Sequence, residues 1–303
     1  MNIPASITSL SHLGLITCSG LDAVKFLQGQ FTCDVNTITT SYSTLGCYCD
    51  QKGRVLASFR IFLDNEIYYL SLPTVLIQSL LNELKRFALF SKVTLTEVSD
   101  DFSQMGLVGD SMASFLLKKF GSLPKQENEM IILDDYIIIR LANAQIRFLV
   151  VSTKIKIQSL WNELQLLAPI SNENAWNLLD IQQGIARIYP ETIGIFTPHD
   201  LNFPNMGAVS FTKGCYRGQE IVARMQYLGK LKRHLSQAKV TTDTPPPPGT
   251  KLLTSEQQNV GELVMSAEIE KNHYELLVVI NEAAKKNSQV FLDSLNVQLK
   301  FVE

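Results

Sequence analysis

The 303-residue sequence has no CxxC pair, although it contains five cysteines, Cys18, Cys33, Cys47, Cys49 and Cys215. An odd number without ligand-type spacing argues against a disulfide framework, a structural zinc site or a ferredoxin-type cluster. Histidine is scarce too: four are scattered, with no HExxH or comparable spacing, so no metal site is expected. No apolar run approaches the ~18 residues of a membrane span. MNIPASITSL lacks the basic start and long apolar core of a secretory signal. The expectation is a reduced, cytoplasmic protein with no membrane partner. Charge is modest, at 18% of residues with a formal net of −2, which excludes a globally basic nucleic-acid coat and an extended disordered chain.

Apolar material is plentiful, at 46% of residues, and the length suits about two average domains. Leu21, Val24 and Leu27, with Phe26 beside them, mark a helical face after Ser19-Gly20. RVLASFRIFL after Gly53 and EIYYLSL after Asp64-Asn65 read as a hairpin. Pro73 opens a helix with Leu76, Ile77, Leu80, Leu81, Leu84 and Phe87 at three- and four-residue spacing, and SKVTLTEVS returns as a strand. The order then repeats, with a strand through 105–108, a helix over 110–120, strands near 131–141 and 146–151, and a helix over about 154–167. Two strand-strand-helix-strand passages predict paired α+β units.

Four consecutive prolines, Pro245 to Pro248, place residues 241–250 in an exposed extended loop. Beyond it, KLLT, VGELVMSA, YELLVVI, SQVFL and NVQLKFV predict a small β-barrel or sandwich of about five or six strands. The expected organisation is an N-terminal α+β region over 1–170, a central segment over 171–240, and a C-terminal barrel over 241–303.

The most informative stretch is SFTKGCYRGQEIVAR, Ser210 to Arg224. Gly214 and Gly218 flank a Cys-Tyr pair and permit a sharp turn or a close backbone approach to a ligand. Gln219 and Glu220 then start a helix, whose N-terminus suits a carboxylate or phosphate. Between Lys213 and Lys239 there are seven Lys or Arg and one Glu, a net of +6, which leaves −8 for the remainder. Charge alone is compatible with a solvated face as well as with an anion site. Cys215 likewise reads either as a small apolar residue or as a thiolate favoured by Lys213, Arg217 and the helix start.

KGCYRGQE, Lys213 to Glu220, resembles the K-G-C-Y-x-G-Q-E signature of the folate-binding YgfZ family, which is related to the glycine cleavage T-protein. The resemblance extends to FLQGQFTCDV (26–35), CDQKGRVLASFRIF (49–62), FALFSKVTL (87–95), MGAVSF (206–211) and the stretch from Trp176 to Asn202. It implies an α+β, T-protein-like three-domain fold, with ferredoxin-like units around a central folate channel and a C-terminal small β-barrel. It also implies tetrahydrofolate or a one-carbon derivative as ligand, and iron–sulfur client enzymes, such as tRNA-thiolating enzymes, as partners. Direct nucleic-acid binding ranks last, because aromatic–basic interleaving is missing.

Residue by residue, the resemblance gives Cys215 and Lys213 the catalytic positions. Trp176, Tyr216, Gln219, Glu220 and Arg224 are implied folate contacts, and Lys230, Lys232 and Arg233 are further candidates to steer an anionic tail. Asp34, in the T-x-D pattern, is expected to orient a loop near the channel. Leu13 stands where the family has a second tryptophan, and offers apolar contact without an indole N–H. T-proteins carry an Asp-Asp pair where this chain has Ala57 and Ser58, and neither can supply a carboxylate. Aminomethyltransferase chemistry is therefore not expected, and a folate-dependent accessory factor for iron–sulfur proteins is favoured over a one-carbon transferase.

Overall fold

The computed structural model describes residues 4–142, 145–229, 231–293, 295 and 297–302. They form two compact units that interleave along the chain. The first takes residues through Gly29, Asp34–Leu45 and Phe59–Trp176; the second takes Gln30–Cys33, Gly46–Ser58 and the chain from Asn177 onward.

In the first unit a six-stranded sheet has the order Ile170–Ser171, Ser6–Ser9, Phe102–Val108, Arg147–Thr153, Tyr136–Arg140, Met130–Leu133. Neighbours run antiparallel, except the parallel first pair. Alternation along each strand sorts side chains between the two faces. Met105, Leu107, Ile138, Phe148 and Val150 join one buried cluster with Met112 and Leu116 of the Asp110–Phe120 helix and Ile157, Leu160 and Leu164 of the Lys154–Leu164 helix. The side chain of Gln104 accepts from Ser71 Oγ at 2.6 Å and donates to the Gly14 carbonyl at 3.3 Å.

A five-stranded sheet has the order Thr44–Cys49, Val55–Asp64, Ile67–Pro73, Leu13–Ser19, Thr94–Glu97. The residues of its first two strands divide between the units. The Thr74–Phe87 helix buries Leu76, Ile77, Leu80, Leu81 and Leu84, and places Lys85 and Arg86 in its last turn, where they suit the helix dipole. Phe87, expected on the same stripe, is exposed because the helix ends there.

In the second unit seven strands follow the order Val297–Gln298, Val290–Leu292, Lys251–Thr254, Asn259–Glu270, His273–Asn281, Arg233–Thr241, Lys300–Phe301. The two outermost strands are separated in sequence by Leu299 alone, so the sheet curls until its edges nearly meet. Tyr274, Leu276, Val278 and Ile280, alternating on one strand, fill the interior with Ala238, Val240, Leu252 and Leu263. The short Glu282–Asn287 helix is capped by Asn281 Oδ1, which accepts from Ala283 N at 2.9 Å.

The proline loop is less exposed than expected. Pro246 is buried, and its carbonyl accepts from Ser266 Oγ at 2.7 Å. Proline has no N–H to donate, but its carbonyl remains a full acceptor. No helix among the described residues is long and apolar enough to cross a membrane.

Candidate functional site

Lys213 begins the loop that carries the candidate chemistry. Its side chain is buried, and Nζ donates to the carbonyls of Phe31 and Cys33, each at 2.7 Å. The same ammonium lies 5.2 Å from the Tyr216 ring centroid, within cation–π range. Burying an ammonium is costly unless it is paired or hydrogen-bonded. Two carbonyls and a ring face meet that need, and they tie residue 213 to chain about 180 positions earlier.

The other end of the loop is fixed by backbone geometry. Gly218 has φ +81°, and a Cβ there would stand 2.4 Å from the Asp50 carbonyl oxygen. Only glycine meets both conditions. Asp50 in turn shapes the facing turn, since its Oδ1 accepts from Lys52 N and Arg54 N, both at 2.8 Å. Arg54 Nη1 donates to the Ile195 carbonyl at 2.7 Å. The motif CDQKGR is thus a wall against which KGCYRGQE folds. Gln219–Leu228 follows as a helix from Gly218.

Between these anchors Cys215 is a free, exposed thiol. Cys18, Cys33, Cys47 and Cys49 are buried. Cys47 and Cys49 place their sulfurs 3.9 Å apart in the Thr44–Cys49 strand. Thr32 Oγ1 donates to the Ala208 carbonyl at 2.6 Å, so at 3.2 Å from Cys47 Sγ it acts as acceptor from that thiol. The Cys47 hydrogen bond, followed by burial, pushes the Cys49 thiol well above its usual range. Burial pushes Cys18 up to about 12. An enclosed thiol is out of reach of an incoming electrophile, and this burial separates the four from Cys215.

Tyr216 is buried, and its hydroxyl has no hydrogen-bond partner among the described residues. Burial, then the proximity of Cys49 and Cys47, raises its phenol well above the ordinary value. The Arg217 guanidinium lies 5.1 Å from the Tyr48 ring centroid and donates to the Tyr48 hydroxyl. Gln219 is half-buried, whereas Glu220 and Arg224 are exposed and 3.3 Å apart one helical turn on from each other.

The remaining sequence candidates lie elsewhere. Trp176, in the first unit, is 2% exposed. A Cβ on Gly106 would fall 2.3 Å from its ring, and the Arg147 guanidinium lies 4.4 Å from the ring centroid. Leu13 is half-buried at the start of its strand. Asp34 locks the turn after TxD: Oδ1 accepts from Gln28 Nε2 at 2.8 Å and Asn36 N at 3.0 Å, while Gln28 Oε1 accepts from Val35 N at 2.7 Å. Ala57 and Ser58 are buried, and Ser58 Oγ accepts from Ile188 N at 3.2 Å. Lys230 is outside the described residues. Among the described residues no group of three or more His, Cys, Asp or Glu could hold a metal ion.

Sequence reasoning did not find a cleft of about 810 Å³ in the second unit, lined by Asp50, Arg54, Asp200, Met225, Arg233 and Glu262 among others. Arg233, one of the residues proposed for anion steering, pairs there with Asp200 and Glu262, both at 2.9 Å. Only the basic half of this network stood out in the sequence, because its acidic partners lie 33 and 29 positions away.

Residues 4–130 match the model of the GCVT N-terminal domain. The chain is 38% identical over 229 residues to a tRNA-modifying protein YgfZ from Colwellia psychrerythraea, spanning 76% of this chain and 70% of that protein. The chain belongs to the YgfZ family. A second YgfZ, from Escherichia fergusonii, is 30% identical over 289 residues, covering 94% of this chain and 88% of the relative. Among solved structures, the glycine cleavage system aminomethyltransferase T from Bartonella henselae superposes with a TM-score of 0.79 at 17% identity, over all of this chain and 86% of that one. The YgfZ chain therefore has the T-protein fold, including the barrel that carried no motif in the sequence. This bears out the expected family and fold class.

Proposed function

We propose that this YgfZ-family chain is a folate-binding accessory protein for iron–sulfur enzymes, with Cys215 as its working thiol. The observation that carries the reading is the contrast among the cysteines: one thiol is exposed on a loop pinned at both ends, and four are enclosed. A loop tied down this firmly presents sulfur at a fixed place without ordering cost on encounter. Lys213 supports it by holding the loop rather than by touching a reacting atom.

The folate assignment rests on the fold and on the donor set. The orphaned, buried Tyr216 hydroxyl and the half-buried Gln219 amide fit the polar edge of a pterin or its amide linkage. Glu220 and Arg224, on the exposed helix face, are proposed to act at the ligand's outer end. Tetrahydrofolate, when bound, supplies a carrier for one-carbon units. Trp176 enters the proposal in a specific form: its ring meets Gly106 on one side and the Arg147 guanidinium on another, so it acts through the indole edge or by setting that guanidinium. Leu13 adds apolar surface, and Asp34 keeps the 28–36 turn in shape. The clients are proposed to be cytoplasmic iron–sulfur enzymes, including those that thiolate tRNA; the relatives named tRNA-modifying proteins support that link.

The alternative, a one-carbon transferase, finds no supporting residue at the strand where T-proteins keep their carboxylates. Ala57 is inert, and the Ser58 hydroxyl accepts a backbone hydrogen bond. Calorimetric titration of the reduced protein with tetrahydrofolate tests the ligand; no heat of binding would remove folate from the reading. Complementation of a strain lacking its YgfZ by Cys215→Ala tests the thiol, and full rescue by a folded variant would return Cys215 to a structural role.

A further inference from the structure

FALFSKVTL, one of the stretches that carried the family resemblance, has no part in the site above. Its Phe90 is 100% exposed and Leu89 78% exposed. Folded proteins leave single apolar residues on their surfaces routinely, but not an entire phenylalanine beside a leucine at the tip of a turn. The turn is ordered rather than frayed: Ser91 N donates to the Ala88 carbonyl and Val93 N to the Ser91 carbonyl, both at 2.9 Å.

A second apolar pair stands beside it. Ser19 is paired with Thr94 at the end of adjacent strands, which brings Gly20–Asp22 against Lys92–Val93. Lys92 N donates to Asp22 Oδ2 at 2.7 Å, and Asp22 N donates to the Lys92 carbonyl at 3.3 Å. Leu21, 88% exposed, and Val24, 40% exposed, therefore extend the apolar surface from the neighbouring segment. Charge surrounds it with one sign in excess. Segments 20–25 and 83–92 hold Lys25, Lys85, Arg86 and Lys92 against Asp22 and Glu83, a net of +2. Both carboxylates are already engaged, Asp22 by the Lys92 amide and Glu83 by Arg86 at 2.8 Å.

We infer that Leu21, Val24, Leu89 and Phe90 form a docking surface for a partner protein whose own apolar groove is rimmed by carboxylates. The apolar centre supplies contact area, and the basic rim selects partners of opposite charge and disfavours a second copy of this chain, which would set like charges face to face. Two segments joined by hydrogen bonds make a shaped surface for a groove, rather than a lone tip for insertion into lipid. The inference rests on the first unit alone, so it stands or falls separately from the folate and thiol reading.

The test uses the full chain in its own cells, with a photo-crosslinking residue at position 90. The expected result is one crosslinked protein whose attached peptide is acid-rich. Yield should fall about tenfold in Leu89→Ser, and be lost in Lys85→Glu/Lys92→Glu. Exchanging the partner's carboxylates for lysine should restore crosslinking to that double variant. All four positions are at the surface, so unchanged thermal melting verifies that each variant folds. Crosslinking to lipid, to a second copy of the chain, to a partner without acidic residues at the contact, or to nothing above an exposed control position would overturn the proposal, as would failure of the charge exchange.

Discussion

Gly218→Ala separates two ways in which a glycine can matter. Gly218 and Gly207 have nearly equal positive φ, +81° and +71°, so alanine meets similar backbone strain at both. That strain is about 1–2 kcal/mol, and reduced freedom of the unfolded chain returns roughly 0.4–1 kcal/mol. At Gly207 nothing lies within 4 Å of the new Cβ, so the net loss should be about 1 kcal/mol. At Gly218 the methyl would sit 2.4 Å from the Asp50 carbonyl, and the 50–54 turn must move. Displacing that turn endangers the bonds from Lys52 N and Arg54 N to Asp50 Oδ1, each worth about 1 kcal/mol net. A total near 3 kcal/mol follows for Gly218→Ala, from the same net strain plus two lost hydrogen bonds. Urea unfolding of both variants beside the parent checks the difference. Equal losses would refute the close approach of the two loops, whatever the absolute values.

Iodoacetamide should label one thiol per native chain, at Cys215, and all five only after unfolding; rapid labelling of a second native thiol would contradict the burial of the other four. Trp176→Ala should destabilise by roughly 3–5 kcal/mol through the cavity opened beside Gly106 and Arg147, and weaken tetrahydrofolate binding by about 1–3 kcal/mol; unchanged affinity in a folded variant confines Trp176 to the core. Arg187 donates to Asn177 Oδ1 and pairs with the buried Asp180, so Arg187→Met should cost roughly 3 kcal/mol, read by urea denaturation. Burial holds the His199 imidazole below its ordinary 6.5, so the unfolded chain binds the proton more readily. Stability from this group is complete above pH 6.5 and declines as pH falls through the lower folded value. His199→Gln should flatten that part of the stability profile; an identical slope would remove His199 as its source.

Helices with a full apolar stripe, such as Thr74–Phe87 and Asp110–Phe120, were legible because three- and four-residue spacing is a local property. The Arg233–Thr241 strand was not, since Ser236 and Gln237 interrupt its alternation. Gln237 Nε2 donates to the Ile181 and Gln182 carbonyls, a partnership 56 and 55 residues distant. At the site, the motif pointed to Lys213 and Cys215, but not to their different duties. What distinguishes them is the pair of carbonyls at Phe31 and Cys33, and no spacing near residue 213 encodes those. Asp50 and Gly53 were visible as a likeness, whereas their use as the surface beneath Gly218 required the folded chain.

The weaving of the chain also constrains its manufacture. The second unit draws Gln30–Cys33 and Gly46–Ser58 from early in the sequence and everything else from beyond Trp176. On the ribosome both early pieces emerge long before the lysine that will grip Phe31 and Cys33, and the first of them must wait about 180 residues of synthesis for it. A gene fragment beginning at Asn177 would encode a body missing its own floor, so dissecting this protein calls for circular permutation or co-expression of both pieces rather than simple truncation.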